Sequence, residues 1–130
     1  MVSEFHRRRG TAGPAQPTPP SASTLALRRS LISEEAAEVL GALDNLSAAS
    51  DEARLAALVH ELADLLYVTY GAFVEIGVDA DAVFAEVHRA NMRKLPGPRR
   101  ADGKQLSPQD WEPADVTAVL HRLRRQGQGS

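Results

Sequence analysis

Residues 33–40, Ser-Glu-Glu-Ala-Ala-Glu-Val-Leu, and residues 60–66, His-Glu-Leu-Ala-Asp-Leu-Leu, are the stretches that decide the fold. In each stretch acidic residues recur at the spacing of one helical turn, so on a helix they share a face. Most other positions are apolar, which favours two helices that pack together and keep their acids beside a groove. The acids are Glu34, Glu35, Glu38, Glu61 and Asp64.

These acids lack basic neighbours along the chain. No Lys or Arg lies three or four residues from any of them, and the sole basic residue at that spacing is His60. Like charges one turn apart cost a few tenths of a kcal/mol per pair, so a cation between the helices would relieve the repulsion. Mg²⁺ and Mn²⁺ take carboxylate oxygens as ligands. One such cluster alone is typical of a solvated face, but its recurrence on successive helices predicts a divalent-metal site.

Length and composition predict a single all-α domain covering residues 1–130. The chain has 130 residues, 43% apolar and 5% aromatic, which favours a helical core of aliphatic side chains. A formal charge of −2 and a pI near 6.1 argue against a general nucleic-acid binder. Without cysteine there is no disulfide or thiolate chemistry. We find no leader and no run that reaches a membrane span, so we expect a cytoplasmic protein without a membrane partner.

Caps and breakers divide the chain into five predicted helices. Proline and glycine exclude helix from residues 10–20, which form an extended connector. We expect disorder over residues 126–130. The first predicted helix covers residues 2–9. The second is capped by Ser21 or Ser23 and ends near Leu46, and the third is capped by Ser50 or Asp51 and ends near Ile76. The fourth runs from Asp79 or Asp81 through Met92 and is followed by a loop over 96–110, after which Pro113 introduces a fifth helix over residues 116–123.

The third predicted helix is apolar nearly all round from Leu62 to Ile76. A helix of that kind has to be covered on all sides, and the other short helices of one chain can hardly supply the cover. We therefore expect a helical bundle with a metal site between its two central helices, completed as a homodimer.

Taken together, these motifs resemble the MazG-type all-α nucleoside triphosphate pyrophosphohydrolases. The resemblance rests on Glu-Glu-x-x-Glu, a gap of about twenty residues and Glu-x-x-Asp. It continues through residues 87–94 (Val-His-Arg-Ala-Asn-Met-Arg-Lys), 102–104 (Asp-Gly-Lys) and 111–116 (Trp-Glu-Pro-Ala-Asp-Val). Those later segments are similar to the MazG-like branch, and within it to bacterial MazG-like dUTP pyrophosphohydrolases.

The resemblance implies roles for individual residues. Glu34, Glu38, Glu61 and Asp64 would ligate Mg²⁺ or Mn²⁺, with Glu35 as a ligand or the general base. We expect Glu35 to be the base, because on a helical wheel its side chain points roughly 60° to 100° away from the other two glutamates and is most able to face water. The implied phosphate contacts are Asn91, Lys94 and Lys104, while Arg99 is either a further substrate contact or part of a solvated basic loop. Phe5 is most simply a core anchor, and the other reading places Phe5 and His6 beside the nucleoside. Relatives often carry a lysine where this chain has Ser107, so a phosphate contact there would be lost or replaced.

The favoured function is metal-dependent cleavage of a nucleoside triphosphate, dUTP above all, to the monophosphate and pyrophosphate. Phosphoribosyl-ATP pyrophosphohydrolase is the alternative with a similar acidic motif, and a non-catalytic helical dimer is another. A zinc peptidase would need a second histidine after His60-Glu, where the chain has Asp64. A di-iron bundle would need Glu-x-x-His, but Ala85 occupies the first position before His88.

Overall fold

The computed structural model describes residues 1–47 and 51–129, and these ranges form five α-helices. The β pairing in them is one isolated antiparallel bridge, between Arg99 and Gln105. The predicted all-α fold is therefore confirmed. The chain divides into two compact units, Met1–Val78 and Asp79–Ser130, which are described separately below. The helices are α1 (Val2–Arg8), α2 (Ala22–Asp44), α3 (Glu52–Ile76), α4 (Ala80–Met92) and α5 (Val116–Gln128).

Side-chain caps start four of these helices. Each capping oxygen accepts a backbone N–H of the first turn, which satisfies a donor that the helix leaves open. Ser50 lies outside the described residues. The final helix begins at Val116, as predicted, but it continues to Gln128, past the predicted end at Leu123, which does not agree with disorder from Gln126. The Ser21 side chain accepts the backbone N–H of Thr24 at 3.2 Å. The carboxylates of Asp51, Asp79 and Asp115 accept the backbone N–H groups of Arg54, Asp81 and Ala118 respectively, each at 3.0 Å.

In the first unit, α2 and α3 form a helical hairpin, and α1 packs on α3. Gly77 ends α3 in the left-handed conformation, with φ 74°, which glycine adopts without strain. The proline-rich connector then packs against that end of α3, since Thr18 N donates to the Ile76 carbonyl at 2.8 Å. A Cβ at Gly13 would collide with the Val74 carbonyl, so the connector approaches α3 as closely as glycine allows.

The first unit leaves much apolar surface exposed on α3. Leu55, Val59, Leu62 and Leu66 follow the helical spacing of 4, 3 and 4 residues, and all four are exposed. By length and composition alone α3 could also cross a bilayer, which differs from the expectation that no run is long enough. Carboxylates in the middle of this helix, such as Glu61 and Asp64, would be costly in lipid.

In the second unit, α4 packs against α5 and the segment between them is tied back onto α4. Trp111 Nε1 donates to the Ala90 carbonyl at 2.7 Å, and Ala90 is almost completely buried. Trp111 therefore anchors this segment to α4. The Glu86 carboxylate accepts the backbone N–H of Asp115 at 2.9 Å, which fixes the start of α5 against α4.

Candidate metal centre

Three carboxylates converge where α2 faces α3. Glu35 and Glu38 lie one turn apart on α2, and Glu61 lies on α3. One oxygen from each of the three lies within 4.8 Å of the others. We call these three residues the acid cluster. The predicted juxtaposition of acids between the two central helices is therefore present in the fold.

The other two predicted ligands lie differently. Asp64 is one turn beyond Glu61, and its charge acts on both Glu35 and Glu61. It also forms an ion pair with His60, with Nε2 and Oδ2 2.9 Å apart. Glu34 is exposed and lies outside the acid cluster, so its role as a ligand stays a prediction without support from this geometry.

The pKa values of two carboxylates in the acid cluster, those of Glu35 and Glu61, are raised. Burial, followed by the charges of Glu38 and Asp64, raises the pKa of Glu35 above its usual value. Burial and then a hydrogen bond with Glu38 raise the pKa of Glu61, while the charge of His60 partly offsets that rise. Within the described residues, no lysine or arginine forms an ion pair with the acid cluster. The site is therefore short of positive charge.

Glu35 Oε2 shows that the cluster fits a cation. This oxygen is buried and has no hydrogen-bond partner within the described part of the chain. A buried acceptor without a partner is costly and needs an explanation, for which an absent ion is a standard candidate. The donor set is entirely carboxylate, which suits Mg²⁺ or Mn²⁺. The reason given for Glu35 as the base was wrong, because Glu35 is the half-buried member of the three glutamates of α2, whereas Glu34 and Glu38 are exposed.

A second polar layer connects the same helices. Arg28 on α2 donates from Nε and Nη2 to the two carboxylate oxygens of Glu75 on α3, at 2.9 and 3.0 Å. His6 of α1 is 2% exposed and lies with Nδ1 3.8 Å from Glu75 Oε1. We call His6, Arg28 and Glu75, with the adjoining Gly71, the ion-pair layer. Its burial leaves His6 little surface for a substrate, and the predicted substrate contact of His6 stays a prediction.

Arg28 and Glu75 were not among the functional residues predicted from the sequence. A signal was present for Glu75: it lies at the end of an apolar helix without a Lys or Arg three or four residues away. A charge in that setting suggests a distant partner. Nothing in the sequence identifies the partner, which is 47 residues earlier.

Phe5 is more accessible than His6. It is 42% exposed, its ring meets Tyr67 edge to face with centroids 5.7 Å apart, and the Arg9 guanidinium lies 5.6 Å from the ring centroid. Tyr67 is one turn beyond Asp64 on α3. An exposed aromatic pair of this kind is compatible with the predicted nucleoside contact for Phe5.

The predicted phosphate contacts all belong to the second unit. Lys94 Nζ lies 4.6 Å from the centroid of the Trp111 ring, which holds the ammonium by a cation–π interaction. Arg99 and Lys104 lie on the two arms of a tight turn, both exposed, and Asn91 is exposed at the end of α4. Their contacts with phosphate stay predictions.

Comparison with known proteins assigns the family. A family model described as phosphoribosyl-ATP pyrophosphohydrolase matches residues 2–91, well over half of the chain, and no curated protein matches it. The matched region contains the acid cluster together with Glu34 and Asp64. It ends within the segment 87–94, the first of the later segments that resemble MazG-like dUTP pyrophosphohydrolases, and nothing in the match is specific to dUTP. The chain therefore belongs to the phosphoribosyl-ATP pyrophosphohydrolase family, an all-α family of pyrophosphohydrolase enzymes related to the MazG superfamily.

Proposed function

We propose that this protein is a divalent-metal-dependent nucleotide pyrophosphohydrolase that cleaves between the α- and β-phosphates. The observation that carries the proposal is the acid cluster, in which three carboxylate oxygens from two helices lie within 4.8 Å and a buried oxygen of Glu35 lacks a partner. Such a site attracts a cation and, through it, phosphate. Family membership supports the reaction type.

The acid cluster and Asp64 would hold the cation. When bound, Mg²⁺ or Mn²⁺ would neutralise charge on the phosphate oxygens and make water a better nucleophile. Glu35 belongs with the ligands, since its orphaned Oε2 is buried among acids. Glu34 is the exposed carboxylate next to them. By the criterion that the base is the acid most able to face water, Glu34 would accept the proton of the attacking water.

We propose phosphoribosyl-ATP as the substrate, because the family model that matches the chain is named for it. The products would be the corresponding monophosphate and pyrophosphate. A second candidate is dUTP, which rests on the resemblance of residues 87–94, 102–104 and 111–116 to MazG-like dUTP pyrophosphohydrolases. The exposed Phe5–Tyr67 pair offers a surface for a base in either case.

Pyrophosphate release from a substrate panel tests both proposals. The panel contains phosphoribosyl-ATP, ATP, dUTP, dTTP, dCTP, dATP and dGTP, each with and without Mg²⁺. We expect metal-dependent release, fastest from phosphoribosyl-ATP. Fastest release from dUTP would instead identify dUTP, the second candidate, as the substrate. Release of orthophosphate, or no release from any nucleotide, would contradict the function.

We also propose that the protein acts as a homodimer that covers the exposed stripe of α3. Four large apolar side chains on one helical face are more than a monomer usually leaves open. The stripe starts near the N-terminus of α3 and passes the acid cluster, so a second copy could cover it along a helix of equal length.

Light scattering on Leu66→Glu tests this assembly. The wild-type protein should have the mass of two chains, and Leu66→Glu, which places a charge within the stripe at its C-terminal end, should give monomers or aggregates. The matched control is Ala53→Glu, an exposed change on α3 away from the stripe. A wild-type monomer at micromolar concentration would contradict the proposal.

A further inference from the structure

The ion-pair layer is built to hold α2 and α3 in one relative position. Its two charged side chains are 10% and 13% exposed, and the Arg28 fork engages both oxygens of Glu75. A bidentate pair of this type is directional as well as strong. Arg28 Nη1 also approaches the Val68 carbonyl at 3.5 Å, one turn before Gly71 on α3. Sliding or rotating either helix would therefore break several bonds together.

Gly71 makes this arrangement possible. A Cβ at residue 71 would lie 2.5 Å from Arg28 Nη1 and 3.0 Å from His6 Nε2. The guanidinium and the imidazole thus pass directly over the backbone of α3, where a side chain would keep them away. The layer joins α1, α2 and α3 at one level.

The ion-pair layer and the acid cluster share one helix register. Arg28 lies over Gly71, and Glu38 shares the acid cluster with Glu61. From 28 to 38 is ten residues along α2, and from 71 to 61 is ten residues back along α3. In two antiparallel helices, equal steps of about 15 Å place both pairs at matching levels. The contact at one layer thus sets which residues face each other at the other.

We infer that the ion-pair layer positions the metal site. When ionised, the carboxylates of the acid cluster repel one another, so the cluster by itself opposes the close approach of α2 and α3. The ion-pair layer, two to three turns away, fixes the register and so keeps Glu38 opposite Glu61. Arg28, Glu75, Gly71 and His6 are positioning residues that need not touch the substrate. The functional consequence rests on the metal site proposed above, whereas the register itself does not.

A metal titration separates positioning from simple stabilisation. Arg28→Met should raise the Kd for Mn²⁺, measured by calorimetry on folded protein at low temperature, by about tenfold or more, as loss of a residue that orients a ligand does. The matched control is Arg8→Met, which removes an exposed Arg–Glu pair of α1 and should leave the Kd unchanged. A layer that merely stabilises would lower the unfolding midpoint in Arg28→Met while the Kd stays at the wild-type value.

A distance measurement tests the register without metal. The chain has no cysteine, so spin labels at Gly41→Cys on α2 and Ala57→Cys on α3 are unique; both positions are exposed. Labelled protein diluted with unlabelled protein should give one narrow distance in the wild type. Arg28→Met should shift or broaden it, and Arg8→Met should not.

Gly71→Ala provides a milder second variant if Arg28→Met does not fold. Its new methyl group must displace the Arg28 guanidinium, so we expect the same rise in the Kd for Mn²⁺ and the same change in the spin-label distance, both smaller than in Arg28→Met. Unchanged distances in the folded variants would overturn the inference. Wild-type protein that binds no Mn²⁺ would instead refute the proposed function, and the distances would still decide the register.

Discussion

The helix pair α2–α3 carries two polar layers that solve the same electrostatic problem in opposite ways. In the ion-pair layer the Glu75 carboxylate is matched by Arg28, with bonds of 2.9 and 3.0 Å. In the acid cluster, three carboxylates converge within 4.8 Å, and within the described residues no arginine or lysine pairs with them. The chain thus provides a cation at one layer and omits it at the other.

The two layers differ in whether the chain itself supplies the positive charge that the carboxylates need. Burying an unpaired charge is costly, so a fold that can place an arginine in one layer has the means to place one in the other. The acid cluster instead accepts raised pKa values and an orphaned oxygen. A site that stays deficient in positive charge is suited to a cation from solution.

Removing a carboxylate from the acid cluster should have the largest effect. Glu38→Gln and Glu61→Gln should each lower kcat for pyrophosphate release by more than about a hundredfold, beyond the loss caused by removing an outer partner of a ligand. Without metal, both variants should be at least as stable as wild type, because like-charge repulsion is reduced. Glu52→Gln, an exposed change on α3, is the control and should keep full activity. Normal turnover in either cluster variant at saturating Mg²⁺ would refute these ligands.

Removing the cation from the matched layer should cost stability. Arg28→Met leaves the Glu75 carboxylate largely buried without its partner, and we expect a loss of about 3 kcal/mol in the free energy of unfolding. Arg8→Met at the exposed pair should change it by less than about 0.5 kcal/mol. Urea denaturation of both variants measures the difference. Equal losses in the two would mean that the ion-pair layer is no more than a surface contact.

The smallest effect should appear as an opposite pH dependence of two carboxylates. Because the pKa of Glu35 is raised in the folded state, the metal-free protein binds more protons folded than unfolded above about pH 4.5, and its stability falls as pH rises through that window. The hydrogen bonds that Glu86 accepts, first from the Asp115 N–H and then from Arg89, lower the pKa of Glu86. The contribution of Glu86 to the stability of the fold is therefore present above pH 4.5 and lost as pH falls.

Denaturation of Glu35→Gln and Glu86→Gln over pH 3 to 7 would resolve the two contributions. Glu35→Gln should reduce the fall in stability as pH rises above 4.5, and Glu86→Gln should reduce the loss of stability as pH falls below 4.5. In the wild type, excess Mg²⁺ should remove the fall in stability above pH 4.5 and have no effect on the loss of stability below it. A stability that rises with pH above 4.5 in metal-free wild type, and that Glu35→Gln leaves unchanged, would contradict the assignment for Glu35.

Local signals were sufficient for most of the fold. Ser21, Asp51 and Asp79 were candidate caps, and each accepts a first-turn N–H. Gly77 ends α3 as expected. The end of α5 was placed too early because the polar sequence after Leu123 carries no apolar period, whereas the helix continues to Gln128. Backbone bonding, which composition does not show, maintains this last turn.

The candidate site was predictable as a set of acids but not as a geometry. Glu34 and Glu35 differ by one position, and the rotation of α2 about its axis decides which of them faces α3. That rotation depends on distant contacts such as Arg28 with Glu75, which lie 47 residues apart. A helical wheel has no access to such contacts, so it presented Glu35 as the exposed acid although the structure buries its Oε2.

Mn²⁺ titration of Glu35→Gln against Glu34→Gln tests the central claim most directly, because the two glutamates are adjacent and chemically identical. We expect Glu34→Gln to bind Mn²⁺ like wild type yet release little pyrophosphate, and Glu35→Gln to lose both binding, by at least about tenfold in Kd, and turnover. If Glu35→Gln keeps wild-type affinity for Mn²⁺ while Glu34→Gln loses it, the acid cluster described here is not the metal site.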